Sequence, residues 1–496
     1  MIPLSPSRSA FAEQAASARV VPVSCEIVAD GDTPVSAFAK LCRVAPSFLL
    51  ESAEQSDQVG RFSFLGAGSR ATFTAHGKSI TITEGNTSRT FEASRDPLDE
   101  LEKWMSTYRT APHADLPGFS GGAVGYLGYD CVRWFEPSIP APKKDELGIP
   151  DMFFLVTESV VIFDHRMRRM KIVANAFLDD SGVVAAYDAA TARIESILHA
   201  LQQPISLDPI LTQSVTGEAP SASNTTEAEY FSMVHRAQEY IRAGDIFQIV
   251  PSQRFQTEFT GDALDLYRAL RFVNPSPYMF CLRCPGGYSL VGSSPEVHVR
   301  LTGELVEIRP IAGTRRRGET PEADEDNAED LLADPKERAE HLMLVDLARN
   351  DVGRIAEFGS VKVTDFMTIE RYSHVMHIVT HVSGQLAGGR SAYDVMRATF
   401  PAGTVSGSPK VRAMQIINEL ENSKRCTYAG AVGYFGFDGN LDSCIALRTV
   451  LLKDGMAYVQ SGGGVVADST PEGEYQETVN KAMAGMRAID RARRTP

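Results

Sequence analysis

Short runs rich in hydrophobic, β-forming residues, separated by polar and glycine-containing breaks, dominate the chain from about residue 20 to residue 200. Such runs predict strands, and the clearest are "RFSFLGAG", "ATFTAHG", "MFFLVTESVVIFD" and "RRMKIVANAFL". By contrast, "AAYDAATARIESILHALQQ" has apolar residues at helical spacing and predicts a helix.

Strands and helices alternate after residue 226. Thr226 and Glu229 have the spacing of a capping box, so a helix should begin there and end at Gly244. "DIFQIVPSQRF" then predicts a strand, and further helices are predicted near residues 335–352, 391–398, 409–421 and 472–490. Many strands in this half alternate polar and apolar residues, which favours antiparallel sheets with one covered face. The predicted fold class is α+β.

Two stretches of distinct composition divide the chain. Residues 1–19 are rich in Ser and Ala and predict a flexible N-terminal arm. Residues 204–226 are rich in Ser, Thr and Pro and predict a linker or long surface loop. We therefore expect an N-terminal domain over residues 20–203 and a second domain over residues 227–490.

Charge and cysteine content narrow the class of protein. The net charge of −14 argues against nucleic-acid binding. The one tight arginine run, Arg315 to Arg317, does not change this, because the acidic stretch "ETPEADEDNAED" follows it and offsets its charge. Seven scattered cysteines and no signal peptide indicate a reducing compartment, and no apolar run reaches the roughly 20 residues that span a membrane. We expect a cytoplasmic protein, with Cys281 and Cys284 as buried strand residues instead of zinc ligands.

Two pairs of glutamates are the first candidate site. Glu337 and Glu340 follow Asp334-Pro335, and Glu474 and Glu477 follow Thr470-Pro471, so each pair shares one face near a helix N-terminus. Capping and the helix dipole explain acidic residues there, and spacing alone favours this interpretation. The repetition supports an alternative, because four converging carboxylates would hold a hard cation such as Mg²⁺.

Histidines and glycines supply further candidates. On one strand, His377 and His381 point to one face and His374 to the other, so the three do not predict a zinc site, although one could act as a base. Gly462 to Gly464 can bring backbone N–H groups close to an anion, whereas "FPAGTVSGSPK" lacks the spacing of a P-loop. With Arg448, these features suggest an enzyme acting on a small polycarboxylate.

Ten motifs together resemble one family. They are "GDIFQIVPSQRF", "NPSPYMF", "SSPE", "RPIAGTRRRG", "KERAEHLMLVDLARNDVGR", "VMHIV", "FPAGTVSGSPK", "YAGAVGYFGFDG", "IALRT" and "GGGVVADSTPEGEYQETVNKA". In this order they resemble the chorismate-utilising enzymes, and within them those that form anthranilate. The fold this implies has two large antiparallel β-sheets packed face to face, helices outside and an active-site cleft beside them.

The resemblance implies a role for each matching residue. Mg²⁺ would be held by Glu337, Glu340, Glu474 and Glu477, with Glu340 and Glu477 as the direct ligands. Substrate would be bound by Gly313, Thr314, Tyr428, Arg448, Gly462, Gly463, Gly464, Gln248 and Lys481, and a guanidinium suits a carboxylate because it offers two parallel hydrogen bonds. The catalytic residues would be Glu296, as a general acid with a raised pKa, and His377 and Thr404, near the elimination of pyruvate.

The side chains at two positions are expected to determine which nucleophile adds to the ring. Ala312 stands where aminodeoxychorismate synthases carry a nucleophilic lysine, and Gln248 stands where isochorismate and salicylate synthases carry a lysine that activates water. Neither side chain can do that chemistry, so ammonia should add directly at C2. The implied reaction converts chorismate and ammonia to anthranilate and pyruvate, the first committed step of tryptophan biosynthesis. An alternative in the same fold stops after amination, at aminodeoxyisochorismate.

Two partners besides chorismate are implied. The sequence lacks the G-x-C-x-G elbow of glutamine amidotransferases, so a separate glutamine amidotransferase subunit should supply ammonia within a hetero-oligomer. L-Tryptophan should act as a feedback inhibitor, because "LLES" resembles the tryptophan site of the family. The residues implied there are Glu51, Ser52, Pro277, Tyr278, Met279, Val432 and Tyr434.

Overall fold

A computed structural model describes residues 2–52, 60–111, 113, 116–179, 182–212, 221–372 and 375–493. His374 lies outside these residues. None of the helices in the described ranges combines the length and the apolar character that a bilayer crossing requires.

The described residues form 12 α-helices, two short 3₁₀ turns and 25 strands. The helices are α1 (Arg8–Gln14), α2 (Pro34–Leu41), α3 (Pro97–Met105), α4 (Val132–Phe135), α5 (Val183–Leu201), α6 (Glu227–Arg242), α7 (Ala263–Val273), α8 (Pro321–Ala333), α9 (Pro335–Gly353), α10 (Ala392–Thr399), α11 (Lys410–Leu420) and α12 (Pro471–Arg493). The 3₁₀ turns are Tyr129–Cys131 and Gly403–Val405. The strands are β1 (Val20–Val28), β2 (Ser47–Glu51), β3 (Phe62–Ala67), β4 (Ser69–His76), β5 (Ser79–Glu84), β6 (Thr87–Glu92), β7 (Gly122–Leu127), β8 (Met152–Thr157), β9 (Ser159–Asp164), β10 (Arg169–Phe177), β11 (Ala222–Ser223), β12 (Gln248–Ile249), β13 (Ser252–Glu258), β14 (Tyr278–Cys284), β15 (Tyr288–Ser294), β16 (Val297–Thr302), β17 (Leu305–Ile308), β18 (Ile311–Arg316), β19 (Lys362–Arg371), β20 (Val375–Gln385), β21 (Gly407–Ser408), β22 (Ala431–Gly436), β23 (Leu441–Ile445), β24 (Thr449–Lys453) and β25 (Met456–Gly462).

Two large sheets organise these strands. Sheet 1 has 11 strands in the order β1-β10-β9-β3-β2-β14-β15-β24-β25-β13-β11. Sheet 2 has 12 strands in the order β18-β20-β17-β16-β23-β22-β7-β8-β4-β5-β6, with β19 also paired to β20. Neighbouring strands in both sheets are antiparallel, which confirms the predicted α+β class with two large antiparallel sheets.

Three apolar layers hold the sheets and helices together. Phe48, Phe280 and Leu290 from sheet 1 interdigitate with Tyr126 and Phe153 from sheet 2, so the inner faces form one buried core. The outer face of sheet 1 is covered by α1, α2, α5, α7 and α12, and that of sheet 2 by α3, α4, α9 and α10. This face-to-face arrangement with helices outside is the one that the resemblance implied.

The two halves of the chain contribute to both sheets. In sheet 1, β2 from the first half pairs with β14 from the second, and in sheet 2, β7 pairs with β22. The stretch 204–226 therefore separates two segments of sequence, but not two sheets. Within residues 1–19, α1 packs its buried Phe11 edge-on against Tyr187 of α5, at a ring distance of 5.0 Å. This part of the predicted arm lies against the body of the protein.

Local signals identified several helices and missed others, among them α7 and α8. Thr226 and Glu229 form the predicted capping box, and Gly244 adopts a φ of +81° just after α6. The prediction of one strand over "DIFQIVPSQRF" was wrong, because the chain leaves β12 before Pro251 and enters sheet 1 only at β13. The acidic stretch after Arg317 forms α8, which the analysis of charge did not anticipate.

Candidate active site

The two glutamate pairs lie at the starts of α9 and α12, but the caps of these helices are other residues. Asp334 accepts hydrogen bonds from the backbone N–H groups of Lys336 (2.9 Å) and Glu337 (3.3 Å), and Thr470 accepts one from Gly473 (3.2 Å). Helix capping therefore does not account for the carboxylates of Glu337, Glu340, Glu474 and Glu477.

Charge interactions link the four carboxylates to one another. Burial raises the pKa of Glu340, and the neighbouring charges of Glu337 and Glu477 raise it further, against a hydrogen bond donated by Gln248 Nε2 at 3.2 Å. Burial likewise raises the pKa of Glu474, to which Glu477 adds. Two cations lie beside the cluster: Lys481 Nζ is 2.5 Å from Glu477 Oε1, and the Arg315 guanidinium is 3.4 Å from Glu337 Oε1. The cluster therefore carries more negative charge than its neighbours neutralise.

One carboxylate oxygen in this cluster lacks a partner. Ser469 Oγ donates to Glu474 Oε1 at 2.7 Å, but Oε2 is buried and accepts no hydrogen bond from the residues described. A buried, unsatisfied carboxylate oxygen is costly unless a cation or donor occupies the space beside it. Yet across the described ranges no three histidine, cysteine or carboxylate side chains already stand close enough to hold a metal ion. The donor chemistry fits Mg²⁺, whereas the ligand set is not drawn together.

The glycine run after β25 makes room for three of these side chains. A methyl group on Gly462 would lie 2.7 Å from the Tyr428 hydroxyl, one on Gly463 2.7 Å from Glu474 Oε2, and one on Gly464 2.9 Å from Gln248 Nε2. Each distance is shorter than a van der Waals contact. The three glycines therefore allow the backbone to approach the Tyr428, Glu474 and Gln248 side chains closely.

Arg448 supplies a cation that has no close carboxylate among the described residues. Its backbone adopts a left-handed φ of +48°, an uncommon conformation for a residue with a side chain. Burial lowers the pKa of Arg448, while the neighbouring Tyr428 and Glu477 raise it. No carboxylate among the described residues lies within 4.0 Å of its guanidinium, in contrast to most arginines that face the interior. A buried guanidinium without a counter-ion is suited to binding an anionic ligand.

Glu296 is a buried acid between β15 and β16. It is 6% exposed, and burial raises the pKa of its carboxyl to about 8, although Thr404 and the charge of Lys481 lower it. Thr404 Oγ1 donates to Glu296 Oε1 at 2.7 Å, so Oε2 is the oxygen left to carry a proton. At neutral pH this side chain is a protonated acid, as the sequence analysis required of a general acid.

His377 has a defined tautomer. Its Nδ1 lies 2.8 Å from the carbonyl oxygen of Gly313, and because a carbonyl can only accept, Nδ1 carries the proton and Nε2 is free to accept one. Burial lowers the pKa of His377, as does the charge of Arg448, so the ring is neutral at physiological pH. Gly313 has a φ of +67°, and a side chain there would be 3.1 Å from Glu337 Oε2. The turn that holds His377 thus also contacts the carboxylate cluster.

Two of the three arginines after this turn, Arg315 and Arg317, are held by ion pairs. Arg315 pairs with Asp330 and Asp334 at 2.8 Å each and with Glu337 at 3.4 Å, and Arg317 pairs with Asp324 at 2.7 Å. All four carboxylates lie on or beside α8 and α9, so the acidic stretch neutralises these two arginines as part of a folded helix.

His381 forms a hydrogen bond with Glu307 at 2.9 Å and lies on the same face of β20 as His377.

The residues implied in tryptophan binding lie on β2, β14 and β22 or directly beside these strands in the chain. In sheet 1, Glu51 and Met279 face each other across β2 and β14, with Ser52 and Pro277 next to them in the chain. In sheet 2, Val432 and Tyr434 lie on β22. Tyr278 bridges the sheets, because its hydroxyl donates to Asp442 Oδ1 of β23 at 3.0 Å. The seven residues therefore come from segments that the fold brings to one region.

Two features of that region suit a small zwitterionic ligand. Glu51 is 4% exposed and forms an ion pair with Arg271, but its Oε2 is buried and has no hydrogen-bond partner in the described part of the chain. The ring of Tyr434 lies 4.2 Å from that of Phe119, so an aromatic surface adjoins the core. A free carboxylate oxygen can accept from an ammonium group, and stacked rings can pack on an indole.

Sequence reasoning overlooked several residues of the site. Ser469, which holds Glu474, belongs to no charged or glycine-rich signal, although it falls inside the quoted motif before α12. Lys410 is the last residue of "FPAGTVSGSPK", the stretch that lacks P-loop spacing. Its Nζ donates to both carboxylate oxygens of Asp351, at 2.8 and 2.6 Å. This lysine thus has a structural ion pair. Only the folded chain reveals such pairings.

Comparison with known proteins supports one family. The sequence model of the family described as chorismate binding enzyme matches residues 45–487. The chain is 47% identical to anthranilate synthase component 1 of Pseudomonas putida over 480 residues, which covers 96% of each protein. It superimposes on the crystal structure of anthranilate synthase component I from Streptococcus pneumoniae with a TM-score of 0.76 and 37% identity, covering 93% of this chain and 99% of that one. The menaquinone-specific isochorismate synthase of Escherichia coli shares the fold, with a TM-score of 0.70, 19% identity and coverage of 97% and 99%.

Proposed function

The chain belongs to the family of chorismate-binding enzymes, and from this membership we propose that it converts chorismate and ammonia to anthranilate, pyruvate and water. The observation that carries the proposal is Glu296, a buried carboxyl that keeps its proton at neutral pH because its pKa is about 8. The loss of a hydroxyl group from the ring needs such an acid.

Substrate binding follows from the distribution of charge. Chorismate is a dianion, and Arg448 offers a guanidinium that has no carboxylate within 4.0 Å in the described part of the chain, although the charge of Glu477 raises its pKa. Tyr428 is its neighbour, and the backbone of Gly462 to Gly464 is free of side chains that would obstruct a carboxylate. These groups would hold the enolpyruvyl carboxylate, with two parallel hydrogen bonds from Arg448.

The first chemical step is amination. A bond forms between ammonia and C2 of the ring, the ring double bonds shift, and the C4–O bond breaks. Glu296 would donate its proton to the departing hydroxyl, which leaves as water, while the hydrogen bond from Thr404 keeps the other carboxyl oxygen in place. Burial favours the neutral acid before the step and therefore favours proton donation.

The second step is elimination. The C2 proton is removed, the C3–O bond breaks, and the enolpyruvyl group leaves as the enolate of pyruvate while the ring becomes aromatic. The enolate then takes up one proton on its methylene carbon and becomes pyruvate. His377 would accept the C2 proton at Nε2, because its Nδ1 proton is already engaged with the Gly313 carbonyl. Its lowered pKa keeps the imidazole neutral and able to accept.

Mg²⁺ is proposed as the cofactor. Glu337, Glu340, Glu474 and Glu477 would hold it, and the ion would neutralise the ring carboxylate of the substrate and the excess charge of the cluster. Support comes from the unsatisfied Glu474 Oε2 and from the mutual repulsion that raises the pKa of Glu340.

Two side chains support ammonia as the nucleophile. Ala312 in β18 has no nucleophilic atom, and Gln248 is a neutral amide that donates to Glu340 and cannot deprotonate water near pH 7.

The relatives named component 1 imply a second component, and we propose that it is a glutamine amidotransferase subunit that supplies the ammonia. We also propose that L-tryptophan binds beside β2, β14 and β22, at Glu51, Met279 and Tyr434, and inhibits the enzyme.

Fluorescence of anthranilate tests the proposal. Purified chain is incubated with chorismate, Mg²⁺ and an ammonium salt at pH 8, and pyruvate is measured in parallel with lactate dehydrogenase. Equal yields of anthranilate and pyruvate are expected, with no product after Glu296→Gln. Consumption of chorismate without either product would indicate an enzyme that stops at aminodeoxyisochorismate. Unchanged chorismate would refute the proposed activity.

A further inference from the structure

A strained turn carries one of the proposed substrate-binding residues. Residues 425–430, "RCTYAG", connect α11 to β22, and both Cys426 (φ +54°) and Ala429 (φ +64°) adopt the left-handed conformation. Each costs roughly 1 kcal/mol or more for a residue with a side chain, so tertiary contacts must impose this shape. Tyr428 lies between the two strained positions, and its orientation depends on those contacts.

Arg425 makes the contacts that define this turn. It is 2% exposed, and its guanidinium donates to both oxygens of Glu421, at 2.9 and 2.6 Å. The same group donates to the backbone carbonyls of Val405 at 2.9 Å and Val250 at 2.6 Å. It also lies over the rings of Tyr129 and Tyr428, at 4.6 and 5.5 Å. A single planar side chain thus joins four separate segments.

Two of those segments hold proposed site residues. Val405 directly follows Thr404, the donor to Glu296. Val250 and Pro251 connect β12, which carries Gln248, to β13, and the Pro251 carbonyl accepts a hydrogen bond from Gly463 at 3.2 Å. Glu421 Oε1 also accepts from the Ser252 backbone and hydroxyl, both at 2.8 Å, and Ser252 faces Gly462 across the sheet. The Arg425–Glu421 pair therefore contacts the segment that follows Thr404 and the segment that faces Gly462 and Gly463.

We propose that Arg425 is a positioning residue for the reaction: it sets Thr404, Tyr428 and the Gly462–Gly464 backbone at their working distances from one another. This inference rests on the proposed function. The pair by itself explains little of the protein's stability, because a buried ion pair gains little over well-packed apolar residues. What an apolar pair cannot supply is a rigid fork of donors that reaches two carbonyls and a carboxylate simultaneously.

The test uses Arg425→Lys, which keeps the charge but loses the fork. Arg397→Lys is the matched control, since Arg397 is also largely buried, pairs with Asp96 and Asp394, and bonds to none of the site residues. For each protein kcat/KM for chorismate is measured from pH 6.5 to 10, with total ammonium adjusted so that free ammonia stays constant. Thermal midpoints are recorded alongside.

Arg425→Lys should lower kcat/KM by about 10- to 100-fold, the usual effect of a displacement of about 1 Å in a site, and Arg397→Lys should change it less than twofold. The pH profile distinguishes a displacement of Thr404 from a general loosening of the site that would admit water. Displacement of Thr404 removes the hydrogen bond that lowers the pKa of Glu296, so the alkaline limb should move up by about one unit, whereas entry of water would move it down. Lys481 also faces Glu296 and is the same in all variants.

Each outcome decides the inference. An alkaline limb that stays in place or moves down, or a kcat/KM equal to that of Arg397→Lys, would overturn it. If Arg425→Lys does not fold, Glu421→Gln is judged by the same criteria, because it frees the guanidinium while leaving an oxygen for Ser252. An inactive wild-type protein would instead refute the proposed function.

Discussion

Replacement of Glu296 by glutamine should remove activity and yet stabilise the protein, increasingly so as the pH rises. Burial raises the pKa of this carboxyl from 4.5 to about 8 in the folded protein. A raised pKa means that the folded state binds the proton more tightly than the unfolded state. The resulting stability is fully present below pH 4.5 and is lost as the pH rises towards 8.

The magnitude follows from the width of that window. Each pH unit between the two pKa values is worth about 1.4 kcal/mol, so wild type loses about 3 kcal/mol between pH 5 and pH 7.5 through this group. Glutamine has no proton to lose and can still accept from Thr404, so Glu296→Gln escapes this loss. For a chain of 496 residues the entropy of unfolding is roughly 1 kcal/mol per degree, which converts the difference to about 3 °C.

Scanning calorimetry of both proteins at several pH values from 5 to 8 measures this difference, with Glu472→Gln on the exposed face of α12 as the control for loss of one carboxyl. The thermal midpoint of Glu296→Gln relative to wild type should rise by about 3 °C across the range, while its kcat falls by about 10²- to 10⁴-fold. A midpoint difference that does not depend on pH would mean that Glu296 is ionised in the folded protein, and the acid role would be refuted.

Three further outcomes are expected. Arg448→Gln should raise KM for chorismate, with a loss of about 10- to 100-fold in kcat/KM. The thermal midpoint should stay within about 1 °C, because the substitution breaks no ion pair among the described residues. A large fall in the midpoint would contradict this. Gly463→Ala, whose methyl group would lie 2.7 Å from Glu474 Oε2, should raise the Mg²⁺ concentration needed for half-maximal activity, and an unchanged requirement would argue against Glu474 as a ligand. Glu51→Gln should weaken inhibition by tryptophan in the fluorescence assay, whereas an inhibition curve identical to wild type would exclude Glu51 from the site.

Local chemistry made part of this fold predictable. The α6 and α9 helices begin where Thr226 and Asp334 offer a side-chain oxygen to the backbone, and these signals act over only three residues. The same signal was available for α8, where Thr320 caps the helix and Pro321 is its first residue, but the acidic composition drew attention to charge instead. Pairing between β2 and β14, over 220 residues apart, depends on tertiary packing that no local pattern encodes.

The candidate site divides in the same way. Motif resemblance assigned the glutamates and Arg448, since these residues recur at fixed places in the chain. It could not reveal that, among the described residues, Arg448 has no carboxylate within 4.0 Å and one oxygen of Glu474 has no hydrogen-bond partner, because both depend on which side chains the fold brings near. Arg425 carried no sequence signal, as a buried arginine in a short turn resembles any surface arginine in the sequence.

The order of strands in sheet 1 has a consequence for synthesis on the ribosome. β15 and β13 are joined only through β24 and β25, which are the last strands to be made. In a nascent chain that has not reached residue 449, β24 and β25 are missing from the middle of sheet 1. The edges of β15 and β13 are then unpaired, and a strand of another chain can add there. Such a chain also lacks Arg448, the glycine run and half of the carboxylate cluster. Closure of the sheet and completion of the pocket thus coincide, so incomplete products would be inactive, prone to aggregate and open to degradation.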